Sequence, residues 1–458
     1  FHFGILASRV AEFKLQFRIL KLHGWIEMNN ELYKEVIRNE VMPAMGCTEQ
    51  GCLAMACALA AKQTGSKIAL NDRIKISVDP ALFKNICGLK VVGTTLKGIE
   101  AAAALGAICG NPELELQCLQ AIDRESVELA KQMLANHQIT VNWNPDWRDL
   151  RVEVVIEKTN GYGFALIENH HTNVVSQGFD NGYPEFPVPQ NTSQNENYES
   201  ELKTKSLNDL VEMASQIDDA DREWIRQGIK MNQNLAYFGL DCGPVGCGYL
   251  NLMLRGIIPK CLISRAKSMI AAAVDARMDS YPLPAMSSGG SGNQGNLAIL
   301  GPYLAGAEWG IEIARIEEAI AISHLVGSYL KCHVGNLSPM CGCAVTAGAG
   351  AAAAIAYLRN DDVDTIYKAI INFVGSCAGI ICDGANGGCA MKVSNAAGAA
   401  IEAAMLAMEG FSINPNEGIR DPDIGRLAEN LGEVGKRGME HLNNVILEIL
   451  PQKQPSGQ

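Results

Sequence analysis

From Met28 onward apolar residues fall three and four apart. Leu32, Val36, Ile37 and Val41 share one helical face, with Asn29 or Asn30 placed to cap it. This helix is predicted to end near Pro43, because proline removes an amide donor. After a turn at Gly46 and Cys47, Thr48 is placed to cap a second helix running to about Gly65. Between Lys67 and about Gly178 the period shortens towards two. IKISVD, KVVGTTL, ITVNW, RVEVVIE and GFALIENHHTNVV read as strands, with helices near 98–109 and 111–136, which makes a small mixed sheet with helices.

The stretch NGYPEFPVPQNTSQNENYESE is polar and proline-containing, so residues 181–205 are expected to be a linker. Beyond it the period is helical, near 207–217, 223–235, 262–278, 294–308, 311–330, 343–358, 363–378, 391–408 and 425–449, with glycine-rich turns between. The uncharged run Cys343 to Leu358 is rich in Ala and Gly rather than Leu and Ile, and reads as a buried helix instead of a membrane span. Residues 1–27 lack a sustained period and are read as an extension, and 451–458 as a loose tail. The expected fold class is α+β: helices plus a small mixed α/β domain over 28–180, then a mainly α-helical domain over 206–450.

Composition narrows the function classes. A chain of 458 residues with 48% hydrophobic and 19% charged residues can bury a large core without disulfides, which excludes a disordered chain. With 38 Lys and Arg against 50 Asp and Glu, the net charge of -12 repels phosphate backbones and anionic lipid, so neither nucleic acid nor membrane is an expected partner. Abundant Gly and Ala against only 11 Phe, 11 Tyr and 5 Trp imply helices packed closely through small residues. No signal-peptide pattern opens the sequence, so the reducing cytoplasm is the expected compartment, and its 15 cysteines are then not a disulfide framework.

Most of those cysteines read as small buried hydrophobes, but placement singles out a few. Cys332, Cys341, Cys343, Cys377, Cys382 and Cys389 lie within 58 residues, the last two in CDGANGGC. Zinc-ribbon spacing is absent, and CGC at 341–343 is too tight for one tetrahedral knuckle. The GANGG loop frees backbone N–H groups that can point at the sulfides of an iron–sulfur cluster. Spacing alone leaves three readings open: inert buried thiols, zinc, or a cluster with one iron left open. Cys47 stands apart at the mouth of a helix, where dipole and free N–H groups favour a reactive or ligating thiolate.

The loop SSGGSGNQG at 287–295 runs into a helix and can hold a carboxylate through its N–H groups, Ser291, Asn293 and Gln294, or can simply be a tight turn. Its glycines match GxGxxG formally, but prolines precede the loop where a dinucleotide fold needs a strand. His170 and His171 end a predicted strand on opposite faces, and His171 is taken as the inward one, suited to proton transfer. Asp275 and Arg277, two apart on one helix, do not share a face and need different partners. Lys392, three after Cys389, is placed either beside the same cavity or at a solvated helix start.

GCTE at 46–49, DARM at 275–278, SGNQG at 291–295, LSPMCGCAVTAG at 337–348 and ICDGANGGCAMK at 381–392 occur in an order that resembles the L-cysteine desulfidase family, itself related to the alpha subunit of iron–sulfur-dependent L-serine dehydratases. The likeness runs from about Met28 to the last helix. It implies a 4Fe-4S cluster in the helical domain and conversion of L-cysteine to pyruvate, sulfide and ammonia without pyridoxal phosphate.

Carried onto this chain, the resemblance implies Cys341, Cys382 and Cys389 as cluster ligands, with Cys343 as an alternative to Cys341. Cys47 matches the family's N-terminal cysteine, either capping the cluster at rest or acting as the base, with His171 as the competing base. Thr48, Glu49, Ser291, Asn293 and Gln294 are the expected substrate contacts. Gln50 departs from the proline that members commonly carry there. The expected partner is a small amino acid, with homo-oligomerisation open. L-serine or another β-substituted amino acid is the alternative substrate, and a non-catalytic metal or redox sensor is the alternative from another class.

Overall fold

Small residues decide how closely these helices approach. The computed structural model describes residues 30–187 and 196–450; the predicted extension at 1–27 and the tail at 451–458 lie outside them. From Leu32 onward the chain forms one unit. Its fold is α+β and mainly helical.

The first part opens with α1 (Glu31–Glu40), β1 (Pro43–Met45) and α2 (Thr48–Gln63), followed by β2 (Arg73–Val78), α3 (Pro80–Ile86), α4 (Ile99–Cys109) and α5 (Arg124–Ala135). A 3-10 segment, Pro112–Ala121, stands where the start of a longer helix was predicted. Strands β3 (Ile139–Trp143), β4 (Arg151–Lys158), β5 (Gly161–Glu168) and β6 (Val174–Asp180) join β2 in a sheet of order β3-β2-β4-β5-β6. Only β2 and β3 run parallel. Ile74, Ile76, Val152, Val154, Ile156, Ala165 and Ile167 are buried in the core, alternating along β2 as a half-buried strand requires. Helix α2 is buried along most of its length. At Gly106 of α4 a Cβ would lie 2.6 Å from Ala54 Cα, and at Gly163 of β5 one would lie 2.4 Å from Ala60 O, so helix and sheet both close on α2 at glycines.

The helical part comprises α6 (Glu196–Lys203), α7 (Leu207–Ser215), α8 (Asp219–Cys242), α9 (Pro244–Leu254), α10 (Leu262–Met278), β7 (Pro284–Met286), α11 (Gly292–Glu308), α12 (Ile313–Val334), α13 (Val345–Tyr357), α14 (Val363–Cys377), α15 (Gly388–Met408), α16 (Ile424–Glu433) and α17 (Leu442–Ile449). Helix α13, the predicted buried run, is buried at every residue. A Cβ on Gly350 would meet Ser323 O at 2.4 Å, so its packing on α12 also depends on glycine.

Several expectations change. KVVGTTL forms no strand: Gly93 turns the chain at φ 71°, and only an isolated Lys90–Lys97 bridge forms. His170 and His171 do not end a strand. They sit in the turn between β5 and β6, started by Asn169 at φ 65°. Cys47, not Thr48, is the N-cap of α2. The stretch read as a linker carries α6, whose buried Tyr198 donates to Glu40 Oε1 at 3.0 Å; its residues 188–195 lie outside the described ones.

Two short strands set up the site. β1 pairs antiparallel with β7, Pro43 opposite Met286 and Met45 opposite Pro284. Buried Asn232 of α8 clamps Met286, donating to its carbonyl at 3.1 Å and accepting from its N–H at 2.7 Å. The ribbon therefore delivers Cys47, just beyond β1, and the loop 287–295, just beyond β7, side by side. Among the described residues no helix is long and apolar enough to cross a membrane.

Candidate active site

Two loops carry the cysteines. Met340 and Ile381 form an antiparallel bridge, with Cys341 N–H donating to Ile380 O at 2.8 Å and Cys382 N–H donating to Pro339 O at 2.7 Å. Cys341 O accepts from Val345 N at 2.8 Å, so CGC forms the lead-in to α13. Gly384 turns the second loop at φ 100°, where a Cβ would lie 2.8 Å from Lys84 O; only glycine fits that turn and that contact. Cys389 then enters the first turn of α15, its N–H bonded to Asn386 O at 3.0 Å.

Three of the thiols are shifted by their neighbours in this group. The hydrogen bond to Cys343, burial, and the charges of Cys343, Cys382 and Cys389 raise Cys341. Cys343 is lowered to about 7, chiefly by the Cys341 hydrogen bond, then by Ser291 Oγ at 3.2 Å and by Arg277, against burial. Burial pushes Cys389 up to about 12, with Cys343 and Cys382 adding to it. Cys332 and Cys377 go elsewhere: burial, Glu199 and Glu40 raise the first, and the second lies 3.4 Å from Ser376 Oγ. Lys392 pairs with Asp383 beside the group.

The first part of the chain supplies the opposite wall. Cys47 Sγ donates to Glu49 Oε2 at 2.7 Å, Thr48 Oγ1 donates to the same oxygen at 3.1 Å, and Asn85 Nδ2 donates to Glu49 Oε1 at 2.9 Å. Burial and the neighbouring Glu49 carboxylate raise the Cys47 thiol, outweighing Arg277 and the helix N-terminus that favours a thiolate. Burial alone would raise Glu49 as well, but His171, Cys47 and Asn85 bring it down to about 2. Burial lowers His171 to about 4 against the pull of Glu49, so its ring is neutral at pH 7. The Cys47, Thr48 and Asn85 donors are therefore what stabilise the Glu49 carboxylate there. Asn85 also accepts from Cys382 Sγ at 3.8 Å, and Lys84 Nζ donates to Cys382 O at 2.9 Å, so α3 ties the two walls together.

The third wall is the loop 287–295. Gly289 and Gly290 take positive φ, and Lys331 Nζ donates to Gly289 O. A Cβ on Gly290 would lie 3.3 Å from His171 Nδ1. Ser291 precedes α11 without capping it, since its hydroxyl faces Cys343. Asn293 Oδ1 accepts from Arg277 Nη1 at 2.9 Å, and Gln294 is buried against Gly289. Among the described residues His171 Nε2, Gln294 Nε2, and Arg277 Nε and Nη2 are buried without a hydrogen-bond partner.

The structure thus groups Cys341, Cys343, Cys382 and Cys389 with Cys47, Glu49, His171, Ser291, Asn293 and Gln294. Thr48 reaches the group through Glu49. The four thiols at 341, 343, 382 and 389 are the donors that could hold a metal centre. Among the described residues, the only three His, Cys, Asp or Glu donors within 4.8 Å of one another are those of Glu40, His170 and Glu199. Glu40 is already served by Tyr198 and by Lys331 at 3.9 Å, and His170 lies 3.3 Å from Glu199, so these groups already have partners within the protein. No three of the thiols share a spacing as short as a single tetrahedral ion imposes, about 3.8 Å between sulfurs.

The profile of the serine dehydratase alpha chain family matches residues 113–448. The chain belongs to the serine dehydratase alpha chain family. Among its relatives, a UPF0597 protein of Geobacter sulfurreducens is 36% identical over 426 residues, covering 92% of this chain and 99% of its own. One from Desulfatibacillum aliphaticivorans is 36% identical over 432 residues, covering 92% and 98%. One from Clostridium tetani is 34% identical over 424 residues, covering 92% and 99%.

In this serine dehydratase alpha chain relative, sequence reasoning missed Lys84, Asn85 and Lys331 as site residues and left Arg277 without a role. Asp79-Pro80 was an available signal for α3: Asp79 accepts from Ala81 N and Leu82 N, with proline at the first helical position. Nothing local marks Lys84 or Asn85, whose partners in the cysteine loop lie 298 and 297 residues away. Asp275 and Arg277 do take different partners, Asp275 accepting from Val245 N and Gly246 N at the start of α9.

Proposed function

We propose that this protein is an iron–sulfur-dependent lyase that converts L-cysteine and water to pyruvate, hydrogen sulfide and ammonia. The observation that carries the reading is the convergence of Cys341, Cys343, Cys382 and Cys389 from two bridged loops onto the face lined by Cys47, Glu49 and His171. Membership of the serine dehydratase alpha chain family supports amino-acid elimination chemistry. Cys382, Cys389 and one of Cys341 and Cys343 suit a cluster's ligands: they are soft thiolate donors carried on two bridged loops, and no three of them are close enough for a single tetrahedral ion. Bound there, a 4Fe-4S cluster would supply Lewis-acid chemistry for the substrate's sulfur.

The residues around it do the rest. His171, neutral and with Nε2 open, takes the α-proton, and the Glu49 carboxylate beside it stabilises the imidazolium that forms. The Cys47 proton is engaged by Glu49, which favours His171 over Cys47 as the base. Loss of the β-sulfur leaves an aminoacrylate, which tautomerises and hydrolyses to pyruvate and ammonia. Thr48 steadies Glu49, and Ser291, Asn293 and Gln294 line the substrate's side of the loop. No step calls for pyridoxal phosphate. A reducing cytoplasm suits a chain whose 15 cysteines are all free.

The test is anaerobic purification followed by iron, sulfide and turnover assays. A brown protein that releases hydrogen sulfide from L-cysteine, and loses both colour and activity in Cys382→Ala, is the expected result. Full activity in a colourless preparation overturns the reading. L-serine is the second reading, favoured by the family's own description, and turnover of both amino acids on one preparation decides between them. Bound zinc without elimination of either would instead make the protein a metal or redox sensor.

A further inference from the structure

Arg277 is 2% exposed, yet it has one partner where a guanidinium carries five donors. Nη1 donates to Asn293 Oδ1 at 2.9 Å, while Nε and Nη2 are buried with no partner among the described residues. A buried cation with two idle donors is strongly disfavoured unless an anion completes it. Among the described residues no carboxylate pairs with these donors: the neighbouring Asp275 is engaged by the α9 backbone, and Glu49 by Cys47, Thr48 and Asn85.

The surroundings specify the missing anion. A Cβ at Gly292 would lie 2.3 Å from Arg277 Nε, so the guanidinium lies against the first turn of α11 at a position only glycine leaves free. That 17-residue helix has no side-chain cap, because Ser291 turns to Cys343. The unpaired Nε and Nη2 thus lie against the first turn of α11, and a helix terminus and a planar fork both select a carboxylate. Ser291, which opens the same turn, has its hydroxyl 3.2 Å from Cys343 Sγ, so the Arg277 donors lie at the turn that borders the cysteine group.

We infer that Arg277 and the N-terminal turn of α11 bind the α-carboxylate of the amino-acid substrate, orienting its α-carbon towards His171 and its β-substituent towards the cysteines. The inference rests on the lyase reading for the identity of the ligand, and its binding test is independent of turnover.

The experiment titrates the cluster-loaded protein with pyruvate and, separately, with L-alanine, which has no leaving group, while following heat of binding and melting temperature. Wild type should bind both. Arg277→Met should weaken both at least 30-fold while melting, without ligand, no lower than wild type, because an uncompensated buried charge has been removed. Arg277→Lys, which keeps the charge but loses the fork, should fall between them, and where it turns over, its KM should rise more than its kcat falls. Unchanged affinity in Arg277→Met overturns the assignment, as does wild type binding neither carboxylate. So does a drop in unliganded melting temperature with affinity retained, which would make Arg277 purely structural. If pyruvate binds through Arg277 but no amino acid is eliminated, the lyase reading falls and the carboxylate site stands.

Discussion

Replacing Lys84 by Met tests whether α3 is what holds the Cys382 loop against the Glu49 wall. Lys84 is 3% exposed, and its ammonium donates to Cys382 O at 2.9 Å and to Asn443 Oδ1 of α17 at 2.8 Å. Hydrogen bonds from a charged donor contribute about 1.5–3 kcal/mol each, and a buried carbonyl left without its partner costs about 1–3 kcal/mol. Methionine matches the stem and relieves the ammonium's desolvation, which offsets part of the loss. The net expectation is a destabilisation of about 2–4 kcal/mol. Urea unfolding of cluster-free protein measures that figure, and the rate of iron loss to a chelator from loaded protein measures the effect on the loop. The expected result is a lower unfolding midpoint together with several-fold faster iron loss. Lys368→Met is the control, because Lys368 makes an exposed pair with Asp364 at 2.6 Å and should shift stability by less than about 0.5 kcal/mol. If Lys84→Met matches that control in both assays, α3 does not hold the site together.

Further outcomes follow from other positions. Burial lowers His324 to about 3, and its Nδ1 lies 2.8 Å from Ser288 Oγ. The unfolded imidazole binds a proton below about 6.5 while the folded one stays neutral, so stability is full above that pH and declines as pH falls towards 3. Between pH 8 and pH 5 this one residue should remove about 2 kcal/mol, and His324→Asn should flatten the dependence by that amount in urea titrations at the two pH values. At Gly239 of α8 a Cβ would lie 1.9 Å from the backbone oxygen of Ala272. Gly239→Ala should therefore destabilise by about 2 kcal/mol, since overpacking of up to about 3 exceeds the gain of about 1 in helix propensity. Gly248 of α9 has open space, and Gly248→Ala should stabilise by about 0.5–1 kcal/mol; thermal unfolding of both variants reads the contrast. Iron analysis after anaerobic loading should find Cys389→Ser depleted and Cys377→Ser unchanged, and equal retention would remove Cys389 from the ligand set.

What the sequence made legible depends on how local each cause is. The Ala-rich stretch at 343–358 announced its burial because no charge interrupts it, and α13 is indeed buried throughout. The mixed sheet was visible in the strand periods, whereas KVVGTTL has the residues of a strand but turns at Gly93. The histidines were misplaced for a similar reason: Asn169 takes a left-handed conformation that ends β5 at Glu168. At the site, residue type pointed to thiol chemistry, but six cysteines within 58 residues looked alike in sequence. The Met340–Ile381 bridge sorts four of them into one group, while Cys332 and Cys377 follow their own helices elsewhere. Arg277 shows the limit most sharply. Its spacing from Asp275 established that the two could not share a partner, but whether a partner existed at all depended on α11 arriving with glycine at position 292. A missing partner for a buried cation is a property of packing, set by which backbone arrives beside it, and no run of sequence displays it.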